Sequence, residues 1–225
     1  VVGIGDSTTV RQMGIIAQLE NRGTEVLNGF DRKVIYTSIE DWGRREDLVL
    51  RSTICDVFLT GTNTITLDGR LVNVDGGGGR VAGMFWGHPI SIIVAGKNKI
   101  VANLDEAFHR LRKVIAPAHI RMRAVELGEL RFETPCVTTG ECVDCRVKDR
   151  ACNIFTIIEG KPLRTDVYVI MVNEDLGLSW DESWPKERIA KIREDYKRFV
   201  WTAPADLAKW RKLQESDTWC ARDLD

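Results

Sequence analysis

The chain has 225 residues, 29% of them charged and 44% hydrophobic, with a formal net charge of −1. That balance fits one large soluble domain, or one domain with an appendage, and excludes a generally basic nucleic-acid binder, which needs a concentrated positive face. No apolar run reaches the ~18 residues that suggest a membrane span, and the opening shows no basic leader with a long apolar segment, so a reducing, cytoplasmic setting is expected.

Val1 to Ile4 reads as a buried strand from the first residue, which suggests that a native segment precedes it. "TTVRQMGIIAQLENRG" follows as one helix, with Val10, Met13 and Leu19 on its apolar face and Gly23 as its stop. Cys55 to Leu59 is a continuous apolar strand of the kind buried on both faces. "RLVNVDG" alternates, after a hairpin turn at Asp68-Gly69, and runs into four glycines, Gly76 to Gly79. A helix is expected to begin near Val81, and Ile90 to Ala95 is another buried strand. Leu104, Phe108, Leu111 and Ile115 keep helical spacing up to a break at Pro117. A last strand runs from Val167 to Val172.

Strands alternating with helices predict an α/β fold: a mostly parallel sheet flanked by helices, over residues 1–178. Composition changes near Leu178. The remaining segment, 179–225, holds five of the chain's seven tryptophans, among them Trp201, Trp210 and Trp219. It also holds "PKERIAKIREDYKRF", with Ile189, Ile192, Tyr196 and Phe199 on one stripe and Pro185 suited to a first helical turn. This reads as a helical appendage that packs on the main domain or on a second copy of the chain in a homodimer.

Two stretches offer a ligand site. Gly5, Asp6, Ser7, Thr8 and Thr9 join the first strand to a helix, where free backbone N–H groups and the positive helix end favour an anion. The Asp6 charge opposes a phosphate there, and plain N-capping by Asp6 or Ser7 is the alternative. In open α/β sheets ligands lie beyond the carboxyl ends of strands. That places Thr60, Gly61 and Asn63, then Asp75, Gly76 and Gly77, at the expected edge, the alternative being a Gly-rich turn with no ligand. Glu174 and Asp175 end the last strand at the same edge, as an acid or base or as a cap.

The segments "GIGDSTTVRQMG", "TGTNTITLDGRLVNVDGGGGRVAGMFWG", "TPCVTTGECVDC" and "DVYVIMVNEDLG", in this order, resemble the LUD-domain (lactate-utilisation protein) family over roughly Val1 to Leu178. The resemblance implies the fold shared by ribose-5-phosphate isomerase, glucosamine-6-phosphate deaminase and the coenzyme A transferases, whose ligands bind at the strand–glycine-loop–helix turn. It also implies oxidoreductase or iron–sulfur subunits as partners in lactate oxidation. Methylthioribose-phosphate isomerases have a related Gly-Ala-Asp-x-Ile segment with a catalytic aspartate. Asn63 stands at that position here, and an amide is no general acid or base at neutral pH, which counts against isomerase chemistry.

Four of the six cysteines, Cys136, Cys142, Cys145 and Cys152, are spaced C-x5-C-x2-C-x6-C. The C-x2-C hook with two flanking thiols is a soft donor set for zinc or an iron–sulfur cluster; a loop of free or paired thiols is the alternative. Asp144, Arg146, Lys148, Asp149 and Arg150 keep that loop solvated, Cys55 reads as a small hydrophobe, and Cys220 has no partner nearby in sequence. His88 is placed to face the ligand cleft, His109 reads as a solvated helix residue, and His119 follows the break at Pro117. The expected function is binding of a small anionic ligand (an organic acid, a sugar phosphate or a CoA-like molecule) in lactate or organic-acid utilisation, with a metal-bearing cysteine loop. An electron-transfer or interaction subunit with a vestigial pocket is one alternative, and a stand-alone isomerase or transferase is another.

Overall fold

The computed structural model describes residues 1–31, 39–126, 134–147 and 150–201. In chain order its strands are β1 (Val2–Ile4), β2 (Val26–Leu27), β3 (Val57–Gly61), β4 (Thr64–Thr66), β5 (Leu71–Asp75), β6 (Ile90–Gly96), β7 (Ile100–Val101), β8 (Ile154–Ile158) and β9 (Asp166–Val172). Its helices are α1 (Thr8–Gln12), α2 (Ile15–Asn21), α3 (Ile39–Ser52), α4 (Gly79–Ala82), α5 (Leu104–Arg110), α6 (Ala116–Glu126), α7 (Pro135–Thr139) and α8 (Lys186–Phe199).

The four apolar runs read from the sequence, with the short β2 that it does not disclose, make one parallel sheet, ordered β2-β1-β3-β6-β9, with Val2 opposite Val57 and Phe58 opposite Ser91. Strand order reverses between β1 and β3, so the crevice beyond their carboxyl ends is the switch point where ligands bind in open α/β sheets. The fold is therefore α/β, a mostly parallel sheet flanked by helices, with a C-terminal helix. A second sheet, β7-β4-β5-β8, stands beside the first, and its β4–β5 and β5–β8 pairs are antiparallel. Gly69, at φ +92°, turns the β4–β5 hairpin where Asp68-Gly69 predicts it.

Three local expectations change. The first helix is two helices: Gly14 takes φ +65° between α1 and α2, a conformation glycine adopts without strain, and Met13 is exposed. The helix at Pro117 does not break. A π-helical turn at Leu111–Ile115 links α5 to α6 and accommodates the backbone N–H that proline lacks. His88 lies before the amino end of β6, opposite the ligand edge. Its ring stacks on Phe58 with centroids 5.3 Å apart, and Nδ1 faces the Thr53 carbonyl at 3.1 Å. Burial lowers its pKa, so it is a neutral core histidine. His109 is exposed, as expected.

Among the described residues the largest core cluster lies under the second sheet, where Val72, Val74 and Val101 meet Ala107, Leu111 and Ile115. The stripe of α8 completes it: Ile189, Ile192 and Tyr196 are buried, together with Trp180 and Val200. Asp175 fixes the start of this helix through two bonds from Arg188, at 2.7 and 2.8 Å, so that carboxylate is an ion-pair staple. At the other extreme, β9 closes one edge of the parallel sheet with Tyr168, Val169, Ile170 and Met171 exposed. Among the described residues no helix is long and apolar enough to cross a membrane. Trp210, Trp219, Cys220, Lys148 and Asp149 lie outside the described residues.

Candidate functional site

The Gly5–Thr9 turn and the Gly61–Asn63 turn leave adjacent strands and pack against each other. Ser7 caps α1 by accepting the Val10 N–H at 3.3 Å, and Ser7, Thr8 and Thr9 are all buried. Close approach requires both glycines. A Cβ on Gly5 would stand 2.6 Å from Thr60 Oγ1 and 2.9 Å from Phe58 Cζ, and one on Gly61 would stand 2.7 Å from Ser7 Oγ. The predicted residues of these turns are thus brought together at the switch point.

Around the turn lies a half-buried polar cluster that sequence reasoning recovers only in Asp6. Arg11, one helical turn on, donates to Asp6 Oδ1 at 2.8 Å and through Nε to the Phe199 carbonyl at 2.7 Å. Burial alone would raise the Asp6 pKa, but the Arg11 guanidinium bonded to it and the charge of Arg123 hold it below the usual carboxylate range. Tyr196, from the apolar stripe of α8, bonds His119 Nδ1 through its hydroxyl and lies within reach of Thr8. Burial, reinforced by Arg123, lowers the His119 pKa to about 3, so the ring is neutral and shares one hydrogen bond between Nδ1 and the tyrosine hydroxyl. Trp201 closes the cluster, with the guanidinium of Arg45 4.5 Å and that of Arg123 5.3 Å from its ring.

Asn63, Asp75 and the glycine run form a bracket. Asn63 Oδ1 accepts from the Val74 N–H at 2.9 Å and from Arg80 at 3.1 Å, while the Asn63 N–H donates to Asn73 Oδ1 at 2.9 Å. Asp75 Oδ1 accepts the N–H groups of Gly77 and Gly78, at 3.0 and 2.7 Å, and its other oxygen pairs with Arg80 Nε at 3.3 Å. Arg80 therefore ties the Asn63 turn to the glycine run. Gly76 in turn packs on the cysteine loop, where an added Cβ would meet Ala151 Cα at 3.3 Å.

Lys99 is the other residue that sequence reasoning misses. It ends the 3-10 turn Lys97–Lys99 after β6, is 3% exposed, and donates to the Leu178 carbonyl. Gly177 lies between it and the α1 turn, at φ +65°. A Cβ there would stand 2.7 Å from Thr9 Oγ1 and 3.1 Å from Lys99 Nζ, so hydroxyl and amine are neighbours. Glu174 contributes its backbone carbonyl, which accepts from Lys97 N at 3.0 Å.

Cys136, Cys142, Cys145 and Cys152 all line one cavity of about 20 Å³, with Ala116, Pro117, Ile120 and Ala151 among the other residues of its wall. Arg150 draws the loop together through bonds to the Cys145 carbonyl and, at 2.8 Å, to that of Cys152. Burial raises the Cys136 pKa, and the other three thiols add to the rise. The donor set suits a soft metal, yet among the described residues no group of three or more His, Cys, Asp or Glu stands close enough to hold an ion. Cys55 is buried as a small hydrophobe, its thiol on the Ser52 carbonyl at 3.0 Å.

No curated protein matches the chain. A family model does: the LUD domain matches residues 1–172, across both turns, the glycine run, Lys99, the cysteine loop and the edge strand β9, and the chain belongs to the LUD-domain family.

Proposed function

We propose that this LUD-domain protein binds a small anionic organic ligand at the carboxyl edge of its parallel sheet and serves lactate or other organic-acid utilisation. The observation that carries this reading is the gathering of four basic side chains, Arg11, Arg80, Arg123 and Lys99, about the switch-point turns against two carboxylates, Asp6 and Asp75, which pair with Arg11 and Arg80. Each cation in the chain's own field strengthens the attraction for an anion, in a setting shielded from water. Asn63 counts against an isomerase role, because an amide is no general acid or base and its oxygen is held by Val74 and Arg80. The ligand is expected to displace the Phe199 carbonyl from Arg11, since a guanidinium favours a carboxylate or phosphate over a neutral oxygen. The test is thermal unfolding with lactate, ribose 5-phosphate or acetyl-CoA at low salt. Stabilisation by one of them, lost in Arg11→Gln, is expected; no response to any of the three ends the proposal.

A second reading, an electron-transfer or interaction subunit, is favoured by the four thiols around one cavity. A space of about 20 Å³ is the size of one water, which suits a single zinc ion better than an iron–sulfur cluster. Cys136, Cys142, Cys145 and Cys152 are the ligands under this reading, and the loop must tighten to supply tetrahedral thiolates. Anaerobic purification followed by metal analysis decides it. About one zinc per chain, lost in Cys142→Ser and Cys145→Ser, is expected, and metal-free protein rules the reading out.

A further inference from the structure

We infer that Lys99 is an imine-forming amine, and that the anionic ligand of the sheet edge is therefore a small oxo acid. The inference rests on the anion-binding reading of that edge and narrows it to ligands that carry a carbonyl.

The first ground is place. Lys99 follows β6 at its carboxyl end, and its Nζ neighbours the Thr9 hydroxyl across Gly177. The amine therefore belongs to the switch-point turns and not to the surface, whereas Lys97, two residues earlier, is exposed. The second ground is partnership. Among the described residues Lys99 makes no ion pair, and its bond goes to the neutral Leu178 carbonyl. The charged groups that bear on it are both cations: Arg80 from α4, which has Asp75 as its counter-ion, and Arg110 from α5, which has Glu106 at 2.8 Å and Asp181 at 3.5 Å. The remaining close groups, Thr9 and Leu178, carry no charge.

A lysine so placed cannot keep its proton easily. Burial first, then Arg80 and Arg110, bring its pKa down to about 7. Near neutrality the free amine is therefore far more abundant at this position than on a surface lysine. An amine with a lone pair, in a desolvated site, is the form that attacks a carbonyl carbon. The N–C bond forms, the carbonyl oxygen takes up two protons, one from the amine and one from the amine or solvent, and leaves as water as the C–O bond breaks. Amine and carbonyl thus give imine and water, with no oxidant or reductant. The cations around the turns attract the carboxylate of the same molecule. A carbonyl beside a carboxylate meets both demands; an acyl-CoA offers no aldehyde or ketone at its reacting end.

The chain segment Leu176–Ser179 covers the amine, held by Asn98 through bonds to Leu176 N at 3.0 Å and to the Ser179 carbonyl at 3.1 Å. The probe is therefore glyoxylate, the smallest oxo acid, with cyanoborohydride to reduce the imine, on the full native chain near pH 7. Peptide mass spectrometry is expected to find carboxymethylation at Lys99 about tenfold above any other lysine, a preference that fades near pH 9.5 as surface lysines lose their protons. Lys99→Arg removes that label and leaves the rest of the pattern unchanged. Labelling of Lys99 no faster than the surface lysines overturns the inference. Stronger labelling by glycolaldehyde phosphate than by glyoxylate overturns the oxo-acid assignment. Glycolate, the alcohol that cannot form an imine, separates the two readings. If it stabilises the fold while Lys99 stays unlabelled, the amine role alone fails; if Lys99 is labelled but no anion stabilises the fold, the anion edge fails.

Discussion

Asp6 illustrates how a residue changes meaning once its neighbours are known. In the sequence it is one negative charge at the start of a helix, set against any phosphate. In the structure it is the anchor for Arg11, and that pair holds α1 to the end of α8. His119 and Tyr196 join the same cluster from positions 77 residues apart. Nothing in local spacing marks Tyr196 as a hydrogen-bonding residue, because in the helical stripe it reads as apolar. The pH consequence follows from the sign of the shift. The folded His119 pKa, about 3, lies below the unfolded value, so the folded state resists protonation. Its contribution is complete above about pH 6.5 and is lost as pH falls through about 3. Denaturant midpoints measured from pH 7 to pH 4 should fall more steeply for wild type than for His119→Gln. Lys99 acts in a different window. Its folded pKa of about 7 is also below the unfolded value, so wild type should gain stability relative to Lys99→Met as pH rises from about 7 to about 10.5. Equal slopes for either pair would mean that the side chain is solvated in the folded protein.

At the scale of elements, what the sequence discloses depends on how local the cause is. Four of the five parallel strands are legible because each is a short apolar run with its own turn residues, the two-residue β2 being the exception, and α8 is legible because Ile189, Ile192 and Tyr196 recur at helical spacing. The second sheet is legible only in its hairpin at Asp68-Gly69. The two-residue β7 joins β4, and β8 joins β5, by tertiary pairing. Gly14 and Pro117 mislead in opposite directions for the same reason: a glycine within an apolar pattern can still divide a helix, and a proline can be absorbed by a wider turn. The glycines of the site are legible as turns but not as packing surfaces. Gly5→Ala should destabilise by about 1–3 kcal/mol, the usual cost of overpacking, because its Cβ would strike Thr60 and Phe58. Gly77→Ala meets nothing within 4 Å, and should fall within about 0.5 kcal/mol of wild type. Urea unfolding of the two variants separates a packed turn from an open one. Similar losses would mean that the Gly5 turn has room to spare.

For the whole molecule, the question is whether the C-terminal segment serves its own domain or a second copy. The sequence poses it, since a stripe of Ile189, Ile192 and Tyr196 followed by tryptophans suits either role. The contacts within the chain favour its own domain. The stripe is buried against the cluster of Leu111 and Ile115, Trp180 is buried beneath Arg193 at 4.6 Å, and Trp184 has the Arg188 guanidinium 3.6 Å from its ring centre. Removing residues 179–225 would therefore strip Trp180, Ile189, Ile192, Tyr196 and Val200 from the core that surrounds Val72 and Leu111. Each buried isoleucine alone is worth about 2–5 kcal/mol on truncation to alanine, and a domain's total stability is about 5–15 kcal/mol. Ile189→Ala with Ile192→Ala should already bring the chain close to unfolding, and deletion of the segment should yield aggregated protein, read by light scattering and circular dichroism. A wild-type dimer that became a folded, soluble monomer on deletion would assign the segment to an interface instead. It would also require the Leu111 cluster to stay folded with one wall removed, which the size of that exposed apolar surface opposes.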